Sequence, residues 1–440
     1  MYASYAIYAS LMTLVWFTYF ALRVRQQNHN DKIKQQAIRD GLTEPASLHP
    51  VINPNRCIGC QGCVHACPEQ SHGPILGLIR GKAELINPTE CIGHGACYAA
   101  CPVDAITLVF GTSKRGIDLP QVSPDFETTV PGIFIAGELG GMGLIRNAFK
   151  QGQEAMDTIE IKAPSSHPSA DLDVLIVGAG PAGFAASLAA KEKNLKFVTV
   201  DQDSLGGTIF QYPRRKVVMT EPADLPLVGK VNLKTTTKEA LMELFENVVE
   251  QTNLKISYRE KVETIKPIAA DRPGFIVKTS QNTYRTRTVL LAIGRRGTPR
   301  KLVVPGEDKP KTVYRLIDPE QYKGKHVVVV SGGDSALEAA TSIAEQPNTH
   351  VTLSYRGDVF SRAKEKNRQK LEQAETEGRL KVLRKSTLKS IQDKHVEIDH
   401  DGKHIELPND AVIICAGGEL PTPFLKSVGI KLTTKYGTPL

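Results

Sequence analysis

At 440 residues the chain has the length for about three domains, and its 41% apolar and 23% charged residues exclude a disordered or low-complexity polymer. A net charge of +8 would suit an anionic partner, but the basic residues are spread along the chain and build no nucleic-acid motif, so no nucleic acid is expected. Seven of the eight cysteines lie between Cys57 and Cys101, and thiols crowded this way in a large chain point to metal rather than to a disulfide framework.

The first element is apolar. MYASYAIYASLMTLVWFTYFAL carries no charged side chain through Leu22, and Arg23, Arg25, Lys32 and Lys34 follow it. A helix over residues 4–22 would rise roughly 28 Å, about one hydrocarbon core. A cleaved signal peptide would place its basic residues ahead of the apolar run and end in a small-residue site, and neither is present. The expectation is a single-pass transmembrane anchor over residues 1–25 in a prokaryotic cytoplasmic membrane. By the positive-inside rule the N-terminus is outside and the rest is cytoplasmic. Residues 26–49 are read as a linker.

Next come two cysteine runs. CIGCQGCVHACP places Cys57, Cys60, Cys63 and Cys67 ahead of Pro68, and CIGHGACYAACP places Cys91, His94, Cys97 and Cys101 ahead of Pro102. Zinc sites pair their cysteines two by two across a long gap, which neither run does. The spacing instead resembles the two-cluster bacterial ferredoxins, over residues 50–115, and "NPNRCIGC" against "NPTECIGH" marks an internal repeat. The resemblance implies a small α+β domain with two iron–sulfur clusters of the 4Fe–4S type and crossed ligation. One cluster would take Cys57, Cys60, Cys63 and Cys101, the other Cys67, Cys91 and Cys97 with position 94. His94 as a ligand, a three-iron cluster, water on a fourth iron and a hydrogen bond from His94 to a cluster sulfide all stay open.

Residues 116–160 contain ETTVPGIFIAGELGGMGLIRNAFKQGQEAMDTI, in which Ala136, Gly137 and Glu138 follow a strand pattern and a flexible turn precedes a helix from about Leu144. After a Pro/Ser-rich linker over residues 161–170, an apolar strand enters the turn Gly178-x-Gly180-Pro181-Ala182-Gly183 and then an alanine-rich helix. Asp201 ends the next strand, where an acid accepts ribose hydroxyl bonds. The glycines let a pyrophosphate approach the helix N-terminus closely. A second unit, KHVVVVSGGDSALEAA, has Ser331 where the first glycine normally stands, then Gly332, Gly333, Asp334, Ser335 and Ala336. No acid ends its next strand, and Arg356 with Arg362 would suit a 2′-phosphate, favouring NADPH over NADH.

Residues 171–440 resemble the thioredoxin-reductase branch of the FAD-dependent pyridine-nucleotide oxidoreductases. The resemblance implies an α/β fold with two Rossmann-like domains, for FAD over residues 171–298 and for NAD(P)H over residues 299–420. Residues 421–440 would return to the FAD domain. Gly206, Gly207 and Gly294 join the expected FAD set. Two departures stand out. The redox-active Cys-x-x-Cys is missing, since Cys415 is the only thiol beyond Cys101. The family's last FAD-binding segment is also missing at the end, whereas residues 127–159 resemble it, so a circular permutation is expected. Gly137, Glu138, Gly143 and Leu144 would then face the flavin.

A hydride donor delivers two electrons and a cluster takes one, and a flavin is able to deal with both. The expected function is a membrane-anchored oxidoreductase passing electrons between NAD(P)H, FAD and the clusters, to or from a redox protein or membrane electron carrier. Its direction is open, and a homodimer is implied by the resemblance alone. The alternatives are a flavoprotein disulfide reductase, which the missing thiol pair disfavours, and an iron–sulfur redox sensor with negligible turnover.

Overall fold

The computed structural model describes all residues except 1, 46–47, 72, 142, 163–169, 215, 220–221, 233–234, 270–271, 296–298 and 440. Most of the linker expected at 161–170 lies outside the described residues. The chain forms two compact units, one of Met1–Ile117, Val359–Gln369 and Lys435–Leu440, the other of Asp118–Asp358 and Lys370–Thr434.

The first unit opens with the helix Tyr2–Arg39. Its apolar half is bare, with Leu11, Trp16 and Phe20 all exposed, and Ile7–Arg39 is long and apolar enough to cross a membrane by length and composition. Its polar half is no linker, which corrects the reading for residues 26–39. Asn30, Ile33, Lys34 and Ala37 recur at helical spacing and form its more buried face. Asn30, 6% exposed, donates its Nδ2 to the Leu78 carbonyl at 3.0 Å, and Lys34 pairs with Glu84. Gly77 lies beneath, where a Cβ would come within 2.7 Å of the Asn30 amide. Polarity hid this helix because its seat on the cysteine unit is made by an amide and a charge. Replacing Asn30 by alanine should leave the Leu78 carbonyl unpaired and lower the stability of this unit by about 1–2 kcal/mol, read as an earlier transition in thermal melting by circular dichroism.

The cysteine unit is built of short pieces. His49–Ile52 pairs antiparallel with Ile106–Phe110, and Leu76–Ile79 with Lys82–Leu85. Short helices, Gly62–Ala66 and Ala96–Ala99, follow the two cysteine loops. Two distant segments also belong here. Thr438–Pro439 pairs with Phe110 and Val109 as the third strand of the sheet, so the expected return of residues 421–440 to the FAD domain stops short of the last residues. The open edge of Ile106–Phe110 offers unpaired backbone groups, and the chain end satisfies them. Val359–Gln369 likewise leaves the expected domain 299–420: the Glu365 N–H donates to the Glu90 carboxylate, and Asn87 reaches the Glu365 carboxylate at 3.5 Å.

In the second unit, the six-stranded sheet runs in the order Val262–Ala269, Arg272–Thr279, Thr283–Leu291, Leu172–Val177, Phe197–Val200, with Ile133–Ile135 also paired to Thr283–Leu291. Ile133–Ile135 lies parallel to Val289–Leu291, beyond the point where Arg272–Thr279 stops pairing. A segment that precedes the first nucleotide turn in sequence is therefore built into its sheet. The helix Ile145–Lys162 packs on the helix Pro181–Glu192. They approach so closely at Gly152 that a Cβ there would lie 2.1 Å from the Ala182 carbonyl oxygen. Phe134, Met156 and Ile159 share one core with Val174, Ile176 and Leu290. The parallel sheet Thr312–Val313, Ala411–Ile414, His326–Val330, His350–Ser354, Leu380–Leu383 forms the second nucleotide fold, with Val328 and Val412 in its core.

Candidate functional site

The cysteines are gathered crosswise. One cavity is lined by Cys57, Cys60, Cys63 and Cys101, with Ile52, Val103 and Ile106 around them. The other is lined by Cys67, Cys91, His94 and Cys97, with Glu69, Leu76 and Leu108. Each run therefore sends its last cysteine to the other run's cavity. The loops wrap because residues at matching places in the repeat are left-handed, Gly59 and Gln61 in the first run and Gly93 and Gly95 in the second. A Cβ on Gly93 would lie 2.4 Å from the Leu48 carbonyl oxygen. Backbone N–H groups already point at two sulfurs, Ala83 at Cys57 Sγ (3.4 Å) and Ala105 at Cys101 Sγ (3.3 Å).

Burial, reinforced by neighbouring thiolates, pushes Cys63 up to about 11 and Cys97 up to about 12. Burial likewise raises Cys91 to about 11. Thiols so placed ionise only when a metal compensates the charge. Among the described residues no three ligand side chains converge on a single-ion site. Four sulfurs spread around a cavity suit the corners of a cluster rather than one zinc. The residues fit the group.

The first nucleotide turn lies at the end of Leu172–Val177. Gly178 has φ +109°, and a Cβ on Gly183 would fall 1.8 Å from the Gly178 carbonyl oxygen, so strand and helix meet at a distance only glycine allows. Pro181 and Ala182 open the helix behind Gly180. Gly206 donates its N–H to the Ala179 carbonyl at 2.9 Å, and Gly207 brings the next turn against Gly180, where its Cβ would lie 3.1 Å from the Gly180 Cα. Asp201 accepts the N–H of Ala179 at 2.6 Å and of Asp203 at 2.7 Å. Burial raises its pKa. Gly294 has φ +62° with open space beside it.

The earlier segment arrives at the same place. Ala136 donates its N–H to the Leu291 carbonyl, and a Cβ on Gly137 would lie 2.9 Å from the Ala182 Cβ. Glu138 starts a short 3-10 turn, Gly143 stands in open space, and Leu144 is left-handed immediately before the helix, which begins at Ile145. Sequence reasoning missed Gln151, whose Oε1 accepts the Gly137 N–H at 2.8 Å, and Gly152. The signal for Gly152 was a glycine inside an otherwise regular amphipathic helix.

In the second turn, Ser331 takes φ +127°, so a side chain sits where glycine belongs. Gly333 caps the helix Asp334–Ala344, in which Ser335 follows Asp334 and Ala336 is fully buried. Tyr355, not singled out from sequence, packs its ring on this turn, and a Cβ on Gly332 would lie 2.4 Å from its Cε2. Arg356 belongs to the second unit, whereas Arg362 belongs to the segment of the first, where it acts with burial to lower the Arg115 pKa. Cys415 is half-buried, and desolvation pushes its pKa up to about 12. Replacing Ser331 by glycine should relieve strain of about 1–3 kcal/mol against a flexibility cost of about 0.5–1 kcal/mol. The expected result is a net gain in unfolding free energy, measured by denaturant titration.

The model of the pyridine nucleotide-disulphide oxidoreductases matches residues 175–440. The chain belongs to that family. A 4Fe–4S dicluster domain model matches residues 49–102. The chain is thus an FAD-dependent NAD(P)H oxidoreductase fused to a ferredoxin domain, an electron-transfer enzyme. Among its relatives, a ferredoxin–NADP reductase of Ignicoccus hospitalis is 30% identical, over 60% of this chain and 83% of that protein. One of Thermus thermophilus is 33% identical, over 56% and 72%. Bacilliredoxin reductase Bdr of Bacillus subtilis is 25% identical, over 60% and 82%. The bacillithiol disulfide reductase Bdr of Bacillus cereus shares the fold, with a TM-score of 0.51 and 21% identity over 59% of this chain and 81% of that one.

Proposed function

We propose that this oxidoreductase is tethered to a membrane and passes electrons between NADPH and a redox protein or membrane electron carrier, with FAD and two 4Fe–4S-type clusters between them. The observation that carries this reading is the sorting of seven cysteines and His94 into two cavities within a chain that also holds two nucleotide folds. When bound, FAD would link two-electron hydride chemistry to one-electron chemistry at the clusters. The chain's own residues bind and orient. Gly178, Gly180 and Gly183 admit the pyrophosphate, Asp201 would accept the ribose hydroxyls, and Gly137 and Glu138 would face the flavin. The order of segments is that of a circularly permuted reductase, with the piece at residues 127–159 moved to the front.

The helix supports the membrane reading. From Arg23, the first charge after the apolar run, to Asn30, seated on Leu78, the rise is about 10 Å. Leu76 and Leu85 of the hairpin that receives Asn30 also line the His94 cavity. Such a cluster would lie close to a membrane surface, which suits a carrier in the membrane. The curated relatives named as ferredoxin–NADP reductases favour NADPH and a ferredoxin, here part of the same chain.

The test is an anaerobic titration of the full-length protein with NADPH and, separately, NADH, following flavin absorbance and cluster EPR together. Bleaching of the flavin with cluster signals growing in step supports the reading and ranks the nucleotides. A flavin that reduces while the clusters stay oxidised, and that a reduced ferredoxin fails to feed through them, sinks it.

A further inference from the structure

The ring of His94 is held at both nitrogens. Its Nδ1 accepts the backbone N–H of Ala96 at 3.2 Å, a local bond to the first residue of the helix Ala96–Ala99. Its Nε2 faces the Sγ of Cys67 at 3.9 Å. A neutral imidazole carries one proton, and a nitrogen that accepts a hydrogen bond carries none, so the proton is on Nε2. A protonated ring nitrogen has no lone pair to give iron. Ligation through Nε2 would require the proton on Nδ1, facing the Ala96 N–H. One hydrogen bond would then be replaced by two opposed donors.

We propose that His94 is not an iron ligand but donates its Nε2–H to the Cys67 thiolate, so that one iron of this cluster has neither thiolate nor imidazole from the chain. The proposal rests on reading the cavity of Cys67, Cys91 and Cys97 as a cluster site. The remaining thiol, Cys415, belongs to the second unit and lies 3.7 Å from the Ser335 carbonyl oxygen. A hydrogen bond to a ligand sulfur withdraws charge from the cluster and favours its reduced form. An iron held by neither thiolate nor imidazole is the one that would leave on mild oxidation. A 4Fe–4S cluster of charge 2+ then gives a 3Fe–4S cluster of charge 1+, one Fe2+ and one electron, which ferricyanide takes up. The cavity of Cys57, Cys60, Cys63 and Cys101 has four thiols and serves as the internal control.

The experiment uses anaerobically purified full-length holoprotein, as wild type and as His94→Ala and His94→Cys. Pulsed EPR of the dithionite-reduced samples should show no strongly coupled nitrogen in wild type, and a proton exchangeable in D2O that His94→Ala lacks. Ferricyanide should release a single ferrous ion per chain from wild type and from His94→Ala alike, and none from His94→Cys, where a fourth thiolate holds it. A strong nitrogen coupling in wild type that disappears in His94→Ala, with wild type resisting ferricyanide, overturns the assignment. If Cys91→Ser and Cys97→Ser leave iron and sulfide content unchanged, the premise of a cluster in this cavity falls, whatever His94 does.

Discussion

Gly183→Ala is expected to yield protein without flavin. The added methyl would sit 1.8 Å from the Gly178 carbonyl oxygen and 3.3 Å from the Ala292 Cβ just past the end of the neighbouring strand. Both of the nearest contacts, the oxygen and carbon of Gly178, are backbone, so no rotamer relieves them and the helix must move off the strand. That movement widens the turn that admits the pyrophosphate. Overpacking of a tight core costs about 1–3 kcal/mol, and a clash with backbone belongs at the upper end. Visible absorbance of the purified variant at the flavin bands measures the loss, and thermal melting measures the destabilisation. The cysteine unit provides the contrast, since its iron content should stay as in wild type. A variant that keeps stoichiometric flavin would show that this turn is not the FAD site.

Serine at Cys101 should abolish the same cluster signal as serine at Cys57, although Cys101 belongs to the other run. Serine at Cys67 should abolish the signal that Cys91→Ser abolishes. Each change should remove about half of the iron, because each cavity would hold one cluster of the same nuclearity. Iron and sulfide analysis with EPR of the reduced variants reads this directly. Ligation within each run would give the opposite pairing, Cys101 with Cys91 and Cys67 with Cys57. The geometry stands against that outcome, since Cys101 lines a cavity with Cys57, Cys60 and Cys63 while Cys67 lines one with Cys91 and Cys97.

Much of the site was legible because its signals are local. Glycine at 178 marks backbone that a side chain would strain, and this residue does adopt positive φ. Ser331 shows the limit of that rule: it holds φ +127° without being glycine, and its place in the motif, not its residue type, identified the turn. The uncharged run before Arg23 marks a helix by length and composition alone. Other features left no local trace. Tyr355 reads as an ordinary strand-end aromatic until it is found on Gly332. Gln151 reads as a surface amide on a helix until its Oε1 is found on the Gly137 N–H.

By itself the sequence determined the cysteine spacing, the two nucleotide turns, the apolar helix and the strand, turn and helix at residues 127–159, because each is written in neighbouring residues whose backbone preferences or periodicity are short-ranged. Only the tertiary structure decided where the polar half of the first helix docks, which segment completes the cysteine unit's sheet, and how the His94 ring is oriented. Those outcomes depend on pairings such as Asn30 with Leu78, Thr438 with Phe110 and Cys67 with His94. A hydrogen bond or strand pairing between distant residues is selected by which edge or carbonyl would otherwise be left unsatisfied, and that is known only once the rest of the chain is in place.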